Sequence, residues 1–208
     1  RKKEMKSRIN RGMLASIVVF LVLLIDQIIK IAVKTNMRIG DDIVITDWFL
    51  IRFIENNGMA WGMELGSKLF LSVFRIIAVA LIIYYIVKLV KAKAARGYIV
   101  LISMICAGAF GNIVDSLLYG QIFTESTPWS VATLTEFGHG YAAPLMGKVV
   151  DMFYFPIIDT MLPEWVPFWG GEHFIFFSPI FNFADASISV GVVLILIFFR
   201  KELSKIED

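Results

Sequence analysis

Four stretches of this chain, about 13–34, 69–87, 98–119 and 178–199, are apolar over roughly 20 residues each. That is the length a helix needs to cross a hydrocarbon layer of about 30 Å, so the chain is bound to a bilayer fold. With 58% hydrophobic residues, 18% charged residues and a mean hydropathy of +0.73, it is too apolar for an ordinary soluble domain. The expected fold class is therefore all-α and polytopic, one membrane domain over residues 1–208 with four transmembrane helices. A small extracytoplasmic β-rich segment (35–68) and an extracytoplasmic aromatic loop or lid (120–177) complete it.

The positions of Lys and Arg give the orientation. Residues 1–12 hold six of them, the connection 88–97 holds Lys88, Lys91, Lys93 and Arg96, and the tail holds Arg200, Lys201 and Lys205, together thirteen of twenty. Segment 120–177 has only Lys148 against six acids, which places it outside and both termini in the cytoplasm. The net charge of +2 reflects this bias and not a nucleic-acid patch. The first apolar run continues through DQIIK with no small-residue cleavage site after it, so it reads as a retained span and not a removed signal. Because the chain opens on Arg1 and not Met, residues ahead of it are expected. The lone Cys106 excludes an internal disulfide and reads as a small packing residue.

Between the spans, β-branched, aromatic and polar residues alternate over 43–54, the pattern of short strands at a membrane surface. Segment 120–177 is rich in Trp, Phe, Tyr, Pro and Gly, residues of the headgroup interface and of irregular backbone.

Seven polar residues lie inside the spans: Asp26 and Lys30 late in the first, Arg75 early in the second, Asn112 and Asp115 late in the third, Asn182 and Asp185 early in the fourth. With the spans alternating in direction, all seven fall in the outer part of the membrane and predict one polar pocket opening there. Asp26 and Lys30, four apart, read as an ion pair or hydrogen-bond hub. Gly108 and Gly111 share a face with Asn112 and Asp115 and read as a site of close helix packing. Arg75 reads as a side chain reaching for the interface. Asp185 has no cation among its sequence neighbours in FNFADASIS, so a functional role is expected. Asp151 sits in the apolar stretch MGKVVDMFYF, where burial and a second carboxylate both raise a carboxyl pKa. An Asp151 and Asp185 pair sharing a proton is one arrangement open to such a chain. His139 and His173 lack metal-ligand spacing, and no nucleophile elbow or phosphate loop occurs.

Five segments, DQIIK (26–30), NNGMAWGM (56–63), GAFGNIVDS (108–116), VVDMF (149–153) and FNFADASISVG (181–191), resemble in order the lipoprotein signal peptidase family, also called signal peptidase II. The resemblance spans all four apolar stretches and both outer segments. It implies a multi-pass aspartyl endopeptidase of the bacterial cytoplasmic (inner) membrane with its active site near the outer face. Such an enzyme removes the signal peptide of a diacylglyceryl-modified prolipoprotein just before the lipidated cysteine. It implies a catalytic dyad of Asp151 and Asp185, supported by Asp26, Lys30, Asn56, Gly58, Asn112, Asp115 and Asn182, with no metal or cofactor. The implied partners are the prolipoprotein and membrane lipid, with no nucleic acid, and the chain is expected to act as a monomer. Trp48, Phe49 and Trp61 with the aromatic 120–177 segment would clamp the substrate.

Two features depart from the family pattern. The Arg common after the acid of G-N-x-x-D is Ser116 here, and Arg75 is a candidate to supply the missing cation. Asp115 and Asp151 are 36 residues apart and Asp151 and Asp185 34 apart, longer than the family pattern leads one to expect, which reads as insertions on the outer face. The rival reading is a transporter or assembly factor using the same acids as a relay. A relay needs polar groups through the whole membrane, whereas the cytoplasmic halves of these spans are apolar.

Overall fold

The computed structural model describes residues 9–56 and 68–204. Asn10 caps the first helix, α1 (Arg11–Asn36), by accepting the Met13 N–H at 2.7 Å. No Gly or Pro interrupts α1 after its first turn, and it ends where Met37 turns extended. Helix α2 (Lys68–Lys91) closes with Lys88 and Lys91 in its last turn, where cations complement the helix dipole. A tight turn through Lys93, at φ 55°, leads into α3 (Arg96–Val114). This helix continues through a π-helical turn (Asp115–Tyr119) into the short α4 (Gly120–Ile122). A fourth apolar helix, α5 (Phe183–Phe198), is followed by α6 (Arg200–Ser204).

Three helical segments, Arg11–Asn36, Lys68–Lys91 and Arg96–Ile122, are long and apolar enough to cross a membrane. The fourth expected span, 178–199, is shorter in the structure: α5 has 16 residues, about 24 Å of helix. The reason is local. Ile180–Phe181 pair in a sheet as strand β6, so the helix starts only at the cap Asn182.

The expectation of an essentially all-α chain with β structure in the first outer segment alone needs correction. Strands β1 (Asp42–Thr46) and β2 (Phe49–Asn56) form where alternation predicted them. The second outer segment adds β3 (Val149–Tyr154), β4 (Ile158–Met161), β5 (His173–Phe176) and β6. The main sheet is antiparallel in the order β1-β2-β3-β6, and β4 and β5 form a separate hairpin. Segment 149–154 was read as loop because both of its faces are buried, so its residues do not alternate in polarity. Phe49 stacks on Phe155 at 4.5 Å between ring centroids, and Phe155 on Phe181 at 5.7 Å. Trp48 meets the same Phe155, so one aromatic row fastens the two outer segments together.

Helix α3 is the centre of the bundle. In its most apolar window 56% of residues are buried, against 17% in each of α1 and α2. Glycines make this possible: a Cβ on Gly108 would collide with the Ala184 carbonyl of α5, and one on Gly111 would lie 2.6 Å from Asp26 Oδ2. Two apolar cores result. One, toward the start of α1 and the end of α5, gathers Ala15, Val79, Ile86, Tyr98, Ile102, Cys106 and Ile195. The other gathers Val33, Phe53, Tyr119, Phe123, Val150 and Met152 where helices meet sheet.

Candidate active site

The polar residues of the spans converge between these cores. On α1 the side chains of Asp26 and Lys30 are fully buried, a turn apart. Lys30 Nζ lies 3.0 Å from Asp26 Oδ2 and 2.7 Å from Asp115 Oδ2, and it donates to Asn112 Oδ1 at 2.8 Å. A buried ammonium is tolerable only with such a set of partners. Each partner is itself used. Asp26 accepts the Ala184 N–H at 2.9 Å, holding the first turn of α5. Asp115, at the start of the π turn, accepts the Val150 N–H at 3.3 Å, holding β3 beside Asp151. The expected Asp26 and Lys30 hub is therefore present and ties three elements together.

Asp185 owes its position to helix capping. Asn182 is the N-cap of α5, its Oδ1 accepting the Asp185 N–H at 2.9 Å, and Asp185 Oδ2 reaches back to the Asn182 N–H at 3.4 Å. This capping box satisfies orphan donors of the first turn, and the helix dipole favours the acid there. The other oxygen, Oδ1, accepts from Asn112 Nδ2 at 2.8 Å.

Asp151 approaches from the sheet. It pairs with Ile54 of β2, and period-2 alternation puts Asn56 on the same face of the neighbouring strand. Asn56 Nδ2 donates to Asp151 Oδ2 at 2.5 Å, and Asn182 Nδ2 donates to Asp151 Oδ1 at 2.6 Å. The amide orientations are fixed by their surroundings. Asn112 Oδ1 takes donors from Lys30 and from Asn182, the latter at 3.2 Å, so its Nδ2 must face Asp185. Asn182 Oδ1 takes the Asp185 N–H, so its Nδ2 must face Asp151.

Two carboxyl groups thus meet across Asn182, one buried (Asp151, 1% exposed) and one half-buried. Burial first, and the Asp185 charge second, push the Asp151 carboxyl up to about 7, against the lowering effect of its Asn donors and of Lys30. Arg75 of α2 is half-buried, and its charge acts on Asp185, Asp115 and Asp151. Ser116 is buried, its hydroxyl donating to the Asn112 carbonyl at 3.0 Å. A carboxyl near neutrality beside a second, more accessible acid is suited to moving a proton in either direction.

Of the residues expected at the site, Asp26, Lys30, Asn56, Asn112, Asp115, Asp151, Asn182 and Asp185 come together; Gly58 and Trp61 lie outside the described residues. Among the described residues no group of three His, Cys, Asp or Glu is placed to hold a metal ion. His173 instead pairs with Asp159 on the exposed β4 and β5 hairpin.

Four residues escaped the sequence reading. Gln27 donates to Asp115 Oδ1 at 3.0 Å and to Asp26 Oδ2 at 3.1 Å, and accepts from the Tyr119 hydroxyl at 3.1 Å. Lys34 is fully buried and paired with Glu55. Asp26, Lys30 and Lys34 recur every four residues on α1, and that spacing was the available signal.

Comparison with known proteins gives the family. The profile described as signal peptidase (SPase) II matches residues 18–201. The lipoprotein signal peptidase of Porphyromonas gingivalis is 48% identical over 203 residues, covering 97% of this chain and 89% of the relative. The enzyme of that name from Amoebophilus asiaticus is 33% identical, covering 90% and 78%. The one from Staphylococcus aureus is 31% identical, covering 90% and 88%. A solved bacterial membrane enzyme superposes with a TM-score of 0.58 at 27% identity, covering 92% of this chain and 90% of that one. With a family profile matched along most of its length and relatives of one name covering nearly all of it, this chain belongs to the signal peptidase II family.

Proposed function

We propose that this protein is an aspartyl endopeptidase of the bacterial cytoplasmic membrane that removes the signal peptide from diacylglyceryl-modified prolipoproteins, cutting before the lipidated cysteine. The observation that supports the reading is that Asn182 contacts both carboxyl groups, its side-chain Nδ2 donating to Asp151 Oδ1 and its backbone N–H to Asp185 Oδ2, in a chain whose relatives are named lipoprotein signal peptidases.

With one proton shared between the two acids, the ionised carboxylate takes a proton from a water molecule as the water oxygen bonds to the scissile carbonyl carbon. The protonated acid gives its proton to the carbonyl oxygen, yielding a tetrahedral diol. Transfer of a proton to the amide nitrogen then breaks the C–N bond and releases the new amino terminus of the lipidated cysteine. The diol collapses to one new carboxyl group at the end of the signal peptide, a diol hydroxyl returning its proton to the acid that had given one up, so the dyad regains its single proton. Asn56 and Asn182 hold Asp151 with its oxygens fixed, and Asn112 does the same for Asp185. Arg75 supplies the positive charge that Ser116 does not.

Helices α1, α2, α3 with its extension, and α5 are the four spans, α5 completed at its outer end by the sheet, with both termini in the cytoplasm. An apolar cleft of about 620 Å³ lies between α1 and α2, floored by Cys106 and Phe110. A signal-peptide helix enters laterally there, and its diacylglyceryl group stays among lipid tails. Trp48, Phe49 and Phe155 border the route at the outer interface.

The test is cleavage of a diacylglyceryl-modified prolipoprotein in vesicles by wild type, Asp151→Asn and Asp185→Asn. Cleavage before the modified cysteine by wild type, lost in both folded variants, is the expected result. If both variants still cut, the dyad assignment is wrong; if folded wild type never cuts, the function is wrong.

A further inference from the structure

Strand β2 ends at the site, and its last two residues point to opposite faces. Asn56 faces Asp151. Glu55, on the other face, is fixed by α1: its carboxylate pairs with Lys34 Nζ and accepts from Ser126 Oγ at 3.0 Å, while Lys34 also donates to Ser126 at 2.9 Å. The Lys34 and Glu55 side chains are 0% and 1% exposed. The ammonium lies over the rings of Tyr141 and Phe123, at 5.0 and 5.4 Å from their centroids. Lys148 stands 3.8 Å from the second Glu55 oxygen.

A buried pair of this kind is weak support for stability, because desolvation cancels much of the attraction. What it supplies is position. The β2–β3 ladder carries a register irregularity between Ile51 and Ile54 and closes with Glu55 opposite Val150 and Asn56 opposite Val149. The end of a strand is where pairing is weakest. The ion pair ties that end to the rigid helix that also carries Lys30, one turn earlier. Lys30 and Asp115 hold β3 through the Val150 N–H, and Lys34 holds β2 through Glu55. The strand that carries Asp151 and the strand beside it are therefore both set from one face of α1.

We infer that Lys34 and Glu55 are positioning residues for the reaction, acting through Asn56 to hold Asp151 in its working geometry. This rests on the function proposed above. Neither side chain is exposed to a substrate, so their loss reaches catalysis only through the dyad. The charged groups acting on Asp151 are Asp185 from α5, Lys30 from α1 and Arg75 from α2, and none of them is altered by changes at 34 or 55.

The experiment measures kcat, KM and the pH profile of prolipoprotein cleavage for wild type, Lys34→Met, Glu55→Gln, Lys34→Arg, Asn56→Ala and Lys34→Met/Asn56→Ala, with thermal melts in detergent. Lys34→Met and Glu55→Gln should lower kcat between about tenfold and a hundredfold with KM nearly unchanged, as expected for a small misplacement of a reacting group. Their acidic limb should move to higher pH, because the ionised Asp151 loses a held donor. Lys34→Arg should recover much of the rate. The double variant should be no slower than Asn56→Ala, since the two changes act along one path. Folded Lys34→Met or Glu55→Gln with wild-type kcat and acidic limb, or an additive double variant, overturns the inference while leaving the function standing. Should Lys34→Met fail to fold, Glu55→Gln carries the same two readings. Failure of wild type to cut removes the proposed function itself.

Discussion

The half of the bundle near the chain termini and the half near the sheet are built by opposite rules. The half near the termini is an apolar core of Ile, Leu, Val and Tyr around α3, with Cys106 among them. Its residues pack, and neighbours of similar volume substitute for one another at small cost. The half near the sheet buries Asp26, Lys30, Lys34, Asn112, Asp115 and Asn182, each with defined partners. There a single change leaves a charge or an amide unpaired. Composition of the first half is replaceable, whereas identity in the second is fixed by complementary partners.

Four experiments divide the halves, taken from the largest effect to the smallest. Asp185→Asn keeps the shape of the α5 cap, yet cleavage should fall by about a hundredfold or more, as for loss of a general acid or base. A folded variant with wild-type turnover would make Asp185 a structural cap only. Asp115→Ala should destabilise the protein by about 3–5 kcal/mol, because Lys30 stays buried with a partner removed, and should also cut activity through the loosened β3; thermal unfolding and turnover measured together test both. Ile102→Ala in the apolar core near the termini should cost about 2–4 kcal/mol while leaving turnover per folded molecule unchanged. Loss of turnover there would erase the contrast between the halves.

The smallest effect concerns pH. The folded-state pKa of Asp151, raised from 3.8 to about 7, means that the folded state binds its proton more tightly than the unfolded chain. Stability contributed by this group is full below pH 3.8 and is lost as pH rises toward about 7. Asp151→Asn should therefore flatten the stability curve across that window and leave the variant more stable than wild type at pH 8, as is common where a site sacrifices stability for chemistry. A parallel pair of melting curves would contradict this.

The helices and the first two strands were legible because their signals are local: apolar length for α1, α2 and α3, alternation for β1 and β2. The polar pocket was legible because four apolar stretches place polar residues at one level. What escaped depends on contacts distant in sequence. Segment 149–154 has no alternation, since both of its faces are covered, and only pairing with β2 and β6 makes it a strand. The late start of α5 follows from Phe181 joining that strand. Lys34 drew no reading from the sequence, and nothing near it in sequence announces Glu55 or Ser126. For Arg75 the sequence leaves two readings, a side chain reaching for the interface and a cation for the site, and its charge acts on the acids of the site.

Asn182 both caps α5 and joins the two acids. The first turn of the last apolar helix and the arrangement of the proposed dyad are consequently one structural event. Where α5 is not seated against the sheet, Asn182 keeps its cap but cannot reach Asp151. On the function proposed above, docking of the last apolar helix is therefore the step that completes the site.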